Sequence, residues 1–176
     1  MNILITGSAG CGKSAACDAL RARGYYALNT DSNGCCQHLD GKSLQPTTYA
    51  SEGYNKLMSL VYHWKADAVV PLLKPGLHSG DLRFFDGYGD NLEDFYQYFD
   101  VMFLLIASPE ITKQRLLTRT SGDWGKNPDE LRHVLEHIDP YAAKMKSAGA
   151  IVIDSEQPLN KVVDQILSHI TAKQKA

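Results

Sequence analysis

Gly7-Ser8-Ala9-Gly10-Cys11-Gly12-Lys13-Ser14 sets glycines, a lysine and a hydroxyl at the spacing GxxxxGK[ST]. That spacing suits a grip on a phosphate chain. Glycines let the backbone turn so that successive N–H groups, those of Ser8, Ala9 and Cys11 among them, converge on one concavity and bind phosphate oxygens. A helix opening at Lys13, with Ala15 in its first turn, adds the partial positive charge of its N-terminus. Lys13 can reach the β- and γ-phosphates, and the Ser14 hydroxyl can ligate Mg²⁺. The motif follows an apolar run, Asn2–Thr6, and precedes a helical pattern, which is the context it requires. Residues 7–15 are therefore the candidate nucleotide-binding segment. Cys11 sits inside it; a thiol near cationic groups can be oxidation-sensitive, and a small residue tolerated at a variable position is the plainer account.

Three further groups bear chemistry. Asp86 closes the run Leu82–Asp86 and leads into Gly87-Tyr88-Gly89; an acid at a strand's carboxyl end beside a phosphate loop is well set to hold Mg²⁺ through water. Asp31, just after Tyr25–Asn29, can orient an acceptor hydroxyl and take its proton, and it equally suits capping of the next segment. Arg115 and Arg119 are four apart and on a helix would share a face, where they can neutralise charge on a transferring phosphoryl group or simply meet solvent. Ser121–Lys126, flanked by glycines, suits a mobile lid, with Lys126 and Arg132 as additional cations.

The elements that must position these groups can be read from the apolar pattern. Asn2–Thr6, Tyr25–Asn29, Leu82–Asp86, Val101–Ile106 and Ala150–Asp154 read as strands, most of them continuously apolar, as expected where helices cover both faces. Helical patterns lie between them: Lys13–Arg23 stopped by Gly24, a helix opened by Ser108-Pro109-Glu110 and running to about Arg119, another opened by Asn127-Pro128, and a last one near Leu159–Ala172. Asp139-Pro140 is expected to break the third of these and start a new helix. Alternating strands and helices imply an α/β fold with a parallel sheet and right-handed crossovers. Between Asp40 and Gly80 no strand is evident; a helix is expected over Glu52–Tyr62, and Pro71 argues against a single helix through Lys74. The 176 residues thus read as one domain, with a helical acceptor-binding insertion at about 36–80 and a lid at about 115–132.

Composition narrows the function classes. Eighteen Lys and Arg against 20 Asp and Glu give a net charge of −2, which argues against a dedicated binder of nucleic acid or anionic membrane. No apolar run approaches the roughly 20 residues that span a bilayer, and no signal peptide is evident. Four cysteines (Cys11, Cys17, Cys35 and Cys36) lack CxxC pairing and are expected as reduced thiols of a cytoplasmic protein, a monomer or homodimer. Cys35, Cys36 and His38 form no convincing metal set, and no Asn/Thr-Lys-x-Asp base-reading motif is present.

With these residues in view, the chain resembles the P-loop small-molecule kinases, the group of adenylate kinase, shikimate kinase and nucleoside kinases. Asp86-Gly87-Tyr88 is similar to the Asp-Gly-aromatic step of adenylate kinases, Arg115-Leu116-Leu117-Thr118-Arg119 to their arginine-bearing approach to the lid, and Gly149–Asp154 with Ser155-Glu156-Gln157-Pro158 to their closing segment. The resemblance implies a three-layer α/β/α P-loop NTPase fold with five parallel strands in the order 2-3-1-4-5. It also implies ATP and Mg²⁺ as cofactors, Arg119, Gln157 and Pro158 in the nucleotide site, and Arg115 with Arg119 acting on the transition state.

The acceptor is less legible. Arginine is absent between residues 24 and 82, and Gly89-Asp90 stands where adenylate kinases have Pro-Arg, which argues against an already phosphorylated acceptor. Tyr49, Tyr54, Tyr62 and Trp64 can stack on a ring-bearing acceptor or form the insertion's own core. The expected function is ATP-dependent phosphoryl transfer to a small hydroxyl-bearing molecule, nucleoside or sugar-like. A nucleoside-monophosphate kinase and a nucleotide-binding ATPase with an assembly or regulatory role are the alternatives.

Overall fold

In the computed structural model of the chain, which describes residues 1–31, 33–47, 54–74 and 82–175, the elements run as follows. The first half holds β1 (Asn2–Thr6), α1 (Lys13–Ala22), β2 (Tyr26–Asn29), β3 (Cys36–Asp40), α2 (Tyr54–Leu57), β4 (Leu60–Trp64) and α3 (Ala66–Leu73). Then come β5 (Arg83–Asp86), a 3₁₀ helix (Leu92–Tyr98), β6 (Val101–Ile106), α4 (Pro109–Thr118), α5 (Pro128–Ser147), β7 (Ile151–Asp154) and α6 (Leu159–Lys175). Five strands form one parallel sheet in the order β2-β5-β1-β6-β7. Counted among themselves, these strands follow the 2-3-1-4-5 order that the resemblance implied.

The continuous apolar runs have a simple cause. Successive residues of a strand point to opposite faces, and here both faces are covered. Ile3, Ile5, Phe84, Phe103 and Leu105 pack with α1 and α6 through Ala16, Leu20, Val163 and Ile166. Leu4, Phe85 and Leu104 pack on the other side with Val69, Leu73, Phe95, Tyr141 and Met145. The register brings Thr6, Asn29 and Asp86 to the carboxyl edge of the sheet, with Ile5 opposite Asp86 and Asn29 opposite Asp86.

The insertion differs from expectation. Its described part contains an antiparallel two-stranded sheet, β3 with β4, beside the short α2 and α3. The expected helix Glu52–Tyr62 reduces to α2 followed directly by β4; Glu52 and Tyr49 lie outside the described residues. The cause is side-chain type: Val61, Tyr62 and Trp64 are β-branched or aromatic and fit a pleated surface. The pairing strand, Cys-Gln-His-Leu-Asp, carries too little apolar pattern to be read alone. Pro71 lies inside α3.

Pro140 does not break α5, which runs unbroken for 20 residues. Pro140 and Glu136 are exposed, so the carbonyl that loses its N–H partner faces water. The buried stripe Val134, Ile138, Tyr141, Ala142 and Met145 continues across it, and packing holds the helix together through the defect. The insertion also touches this helix. The Tyr54 hydroxyl donates to Glu136, and the Arg132 guanidinium lies 4.0 Å over the Tyr54 ring.

One buried cation anchors the insertion. Arg83 donates to the carbonyls of Leu72 (3.0 Å), Leu73 (3.2 Å) and Lys74 (3.2 Å), closing the C-terminus of α3, and to Asn2 Oδ1 at 2.5 Å. Orphan carbonyls at a helix end need such a partner.

Candidate active site

The turn from β1 to α1 uses glycine where no other residue fits. Gly7, Gly10 and Gly12 have φ of 150°, 80° and 98°. A Cβ on Gly7 would stand 2.5 Å from both Cys11 Sγ and the Leu105 carbonyl oxygen. Helix α1 starts from Gly12 without a side-chain cap, so its first amides remain available to an anion. Lys13 Nζ, buried with its side chain, donates to the carbonyls of Gly7 (2.8 Å) and Ser8 (3.1 Å) and is thereby held over the loop. Cys11 is fully buried under Gly7.

Beside this loop, the sheet edge gathers Asp86, Asn29 and Ser14. Asn29 Nδ2 donates to Ser14 Oγ at 2.9 Å and to Asp86 Oδ2 at 3.3 Å. Asp86 is fully buried, and its Oδ1 has no hydrogen-bond partner. Burial pushes its carboxyl up to about 7; Lys13 pulls the other way and Asp31 adds to the rise. A buried carboxylate oxygen without a partner is costly, and a cation beside Ser14 is the kind of ligand that would offset it. Gly87 follows because a Cβ there would meet Thr30 Oγ1 at 2.1 Å and the Trp64 ring at 2.9 Å. Thr30 in turn donates to the Asp86 carbonyl through its hydroxyl (2.8 Å) and its N–H (3.0 Å), fixing the end of β5.

Arg115 and Arg119 part company. Helix α4 ends at Thr118 and Arg119 is its extended C-cap, so the two do not share a helical face. Arg115 donates to the Ser155 carbonyl (2.7 Å), to Ser155 Oγ (3.1 Å) and to the Cys11 carbonyl (3.4 Å), bridging the phosphate loop and the segment after β7. Arg119 turns to the 119–127 loop, donating to the Trp124 carbonyl; burial lowers its pKa, and its Nε lacks a partner. Between Arg115 and α1 lies a cavity of about 210 Å³ lined by Cys11, Gly12, Ala15, Arg115, Ser155 and Gln157, among others. Gln157 is held by the Asp154 carbonyl at 2.7 Å and Gln165 at 2.8 Å; Pro158 stands behind it and does not line the cavity.

Asp31 stands at the open rim, exposed. Loss of water to its neighbours raises its carboxyl above the ordinary value, against the pull of Lys13, the Cys36 thiol and the Tyr88 N–H. Trp64 is core: its indole N–H donates to the Tyr88 carbonyl at 2.9 Å, and its ring packs 5.4 Å from that of Phe95.

Residues 3–136 match the AAA domain family. The chain belongs to that family. A search among curated proteins found no match. Among solved structures, this AAA domain is similar to a shikimate kinase from Acinetobacter baumannii in complex with shikimate, with 18% identity, a TM-score of 0.59 and coverage of 98% of this chain and 93% of that one. A gluconokinase from Sinorhizobium meliloti 1021 gives 18%, 0.57, 97% and 91% for the same measures. A deoxyadenosine kinase from M. mycoides with bound dATP gives 14%, 0.55, 97% and 100%. At these identities the shared property is the fold, that of the P-loop small-molecule kinases.

Within this AAA domain, sequence reasoning missed Asn29 and Thr30 as site residues, and named Ser155 in the closing segment without its bond to Arg115. Asn29 and Thr30 end a strand paired with that of Asp86, a signal available once the strand order is known. Ser155 announces itself only through Arg115, 40 residues away.

Proposed function

We propose that this chain is an ATP- and Mg²⁺-dependent kinase that transfers the γ-phosphoryl group to a hydroxyl of a small nucleoside or sugar-like metabolite. The reading is carried by one juxtaposition: a phosphate loop, a buried carboxylate with an open oxygen, and a second carboxylate at the rim share one sheet edge. The loop amides and Lys13 would bind the triphosphate, and the cavity beside Arg115, Ser155 and Gln157 would take the base. Ser14 and Asp86 would hold Mg²⁺, whose chemistry is neutralisation of phosphate charge. Among the described residues no three His, Cys, Asp or Glu side chains gather around a metal, in keeping with a cation held largely by phosphate and water.

Asp31 would orient the acceptor. The hydroxyl oxygen attacks γ-phosphorus, the bond from γ-phosphorus to the β–γ bridging oxygen breaks, ADP leaves, and the hydroxyl proton passes to the Asp31 carboxylate. A raised carboxyl is better matched to taking that proton. Arg119, on the loop that can close, would approach the transferring group, whereas the contacts of Arg115 favour nucleotide positioning. The free thiols of Cys11, Cys17, Cys35 and Cys36 suit the reducing cytoplasm.

The test is ADP release from Mg-ATP in the presence of nucleosides and sugars, one at a time. Acceptor-dependent release supports the reading. A hydrolysis rate unchanged by every acceptor favours a regulatory ATPase instead.

A further inference from the structure

We infer that the alcohol phosphorylated here carries no anionic group, because the groups gathered near Asp31 are carboxylates, aromatic side chains and a thiol, and no described arginine bonds to them. This rests on the kinase reading above and narrows its acceptor.

The β3–β4 hairpin faces the loop after β5, with the Tyr62 and Trp64 N–H groups donating to Asp90 and Asn91. The register sets Cys36 opposite Trp64 and His38 opposite Tyr62, so these four side chains share one face of the hairpin. Trp64 fills the core beneath Gly87 and Gly89, and the other three remain toward Asp31 and Asp90. Cys36 Sγ lies 3.8 Å from Asp31 Oδ1, and the Tyr62 and His38 rings meet at a tilt of 47° with centroids 4.7 Å apart. Asp90 Oδ1 accepts from the Tyr88 hydroxyl at 2.7 Å, and its Oδ2 from the Tyr62 N–H at 2.7 Å. His38 adds no positive charge near neutral pH, since burial lowers its pKa.

Among the described residues, the bonding partners of the arginines lie away from Asp31. Arg21 bonds Asp18 and the Ala27 carbonyl, and Arg23 bonds Asp164. Arg83 closes α3, Arg115 bridges to Ser155, Arg119 meets the Trp124 carbonyl, and Arg132 covers Tyr54. The residues outside the described set include neither Lys nor Arg. Lys144, which approaches the Asp90 carbonyl oxygen at 3.4 Å, is paired with Glu93 at 2.6 Å. Lys13 acts on Asp31, and Lys65 acts on the buried Cys35 beside Cys36. Lys13 serves the loop carbonyls and the nucleotide. A carboxylate or phosphate on the acceptor would therefore lose its water to face like charges without a compensating partner.

The experiment compares matched pairs with full-length protein and Mg-ATP: nucleosides against their 3′-monophosphates, which keep the 5′-hydroxyl, and neutral sugars against the corresponding sugar acids. ADP release is followed for each, and Mg-ATP binding is measured separately by calorimetry. The expected result is turnover with a neutral member and kcat/KM lower by roughly 100-fold or more for its anionic counterpart. Equal or better turnover of an anionic member overturns the inference and leaves the kinase reading standing. No turnover with either class, in protein that binds Mg-ATP, overturns the kinase reading and this inference with it.

Discussion

Replacing Asp86 by Asn should make the nucleotide-free protein more stable while removing its activity. Asp86 is fully buried with an unpartnered oxygen, and its carboxyl is raised from 3.8 to about 7. An acid whose pKa is raised on folding binds more protons folded than unfolded across that window, so stability falls as pH rises from 3.8 to about 7 and is level above it. A tenfold change in proton affinity is worth about 1.4 kcal/mol, so the ionised form costs the fold about 4 kcal/mol at pH 8. At pH 5 the native carboxyl is mostly protonated, and the same reasoning leaves a cost of about 2 kcal/mol. Asn has nearly the same shape and no charge to desolvate. Urea melts at both pH values should therefore give Asp86→Asn an advantage of about 4 kcal/mol at pH 8, shrinking to about 2 kcal/mol at pH 5. In heating experiments the pH 8 gain corresponds to a Tm increase on the order of 10 °C for a chain of this size. A variant less stable than the parent at both pH values, or a gain that does not change with pH, would refute the reasoning.

Lys13→Ala should lower kcat by at least about 100-fold with an unchanged far-ultraviolet spectrum, because it removes a phosphate cation and leaves the sheet untouched. Arg115→Ala should weaken nucleotide binding about tenfold in calorimetry, since the guanidinium joins the phosphate loop to Ser155. Arg83→Met should destabilise by about 3 kcal/mol in urea, because the carbonyls of Leu72, Leu73 and Lys74 lose their donor. Pro140→Ala should stabilise by about 1–3 kcal/mol, since the helix regains an N–H at an exposed position.

What could be read from the chain follows from the range of the forces involved. Lys13 and the glycines before it act within one turn, so their spacing alone reveals the loop. The central strands are legible because both of their faces are buried, which makes Ile3-Leu4-Ile5 and Phe84-Phe85 continuous. The hairpin is not legible, because β3 gains its stability from a partner strand far along the chain and not from its own pattern. Pro140 misleads for the converse reason: a local rule predicts a break, and the packing of Ile138, Tyr141 and Met145 overrides it. The division of labour between Arg115 and Arg119 depends on where α4 stops, a detail that helical periodicity does not contain.

The Tyr54–Glu136 contact, with Arg132 laid over the ring, ties the insertion to the helix that leaves the 119–127 loop. Two parts that could swing separately are thereby yoked. Closure over the nucleotide would tug on the floor of the neighbouring compartment, and filling that compartment would favour closure in return. Under the proposed kinase reading, order of addition would then be a property of the joint: whichever molecule arrives first would prepare the seat of the second.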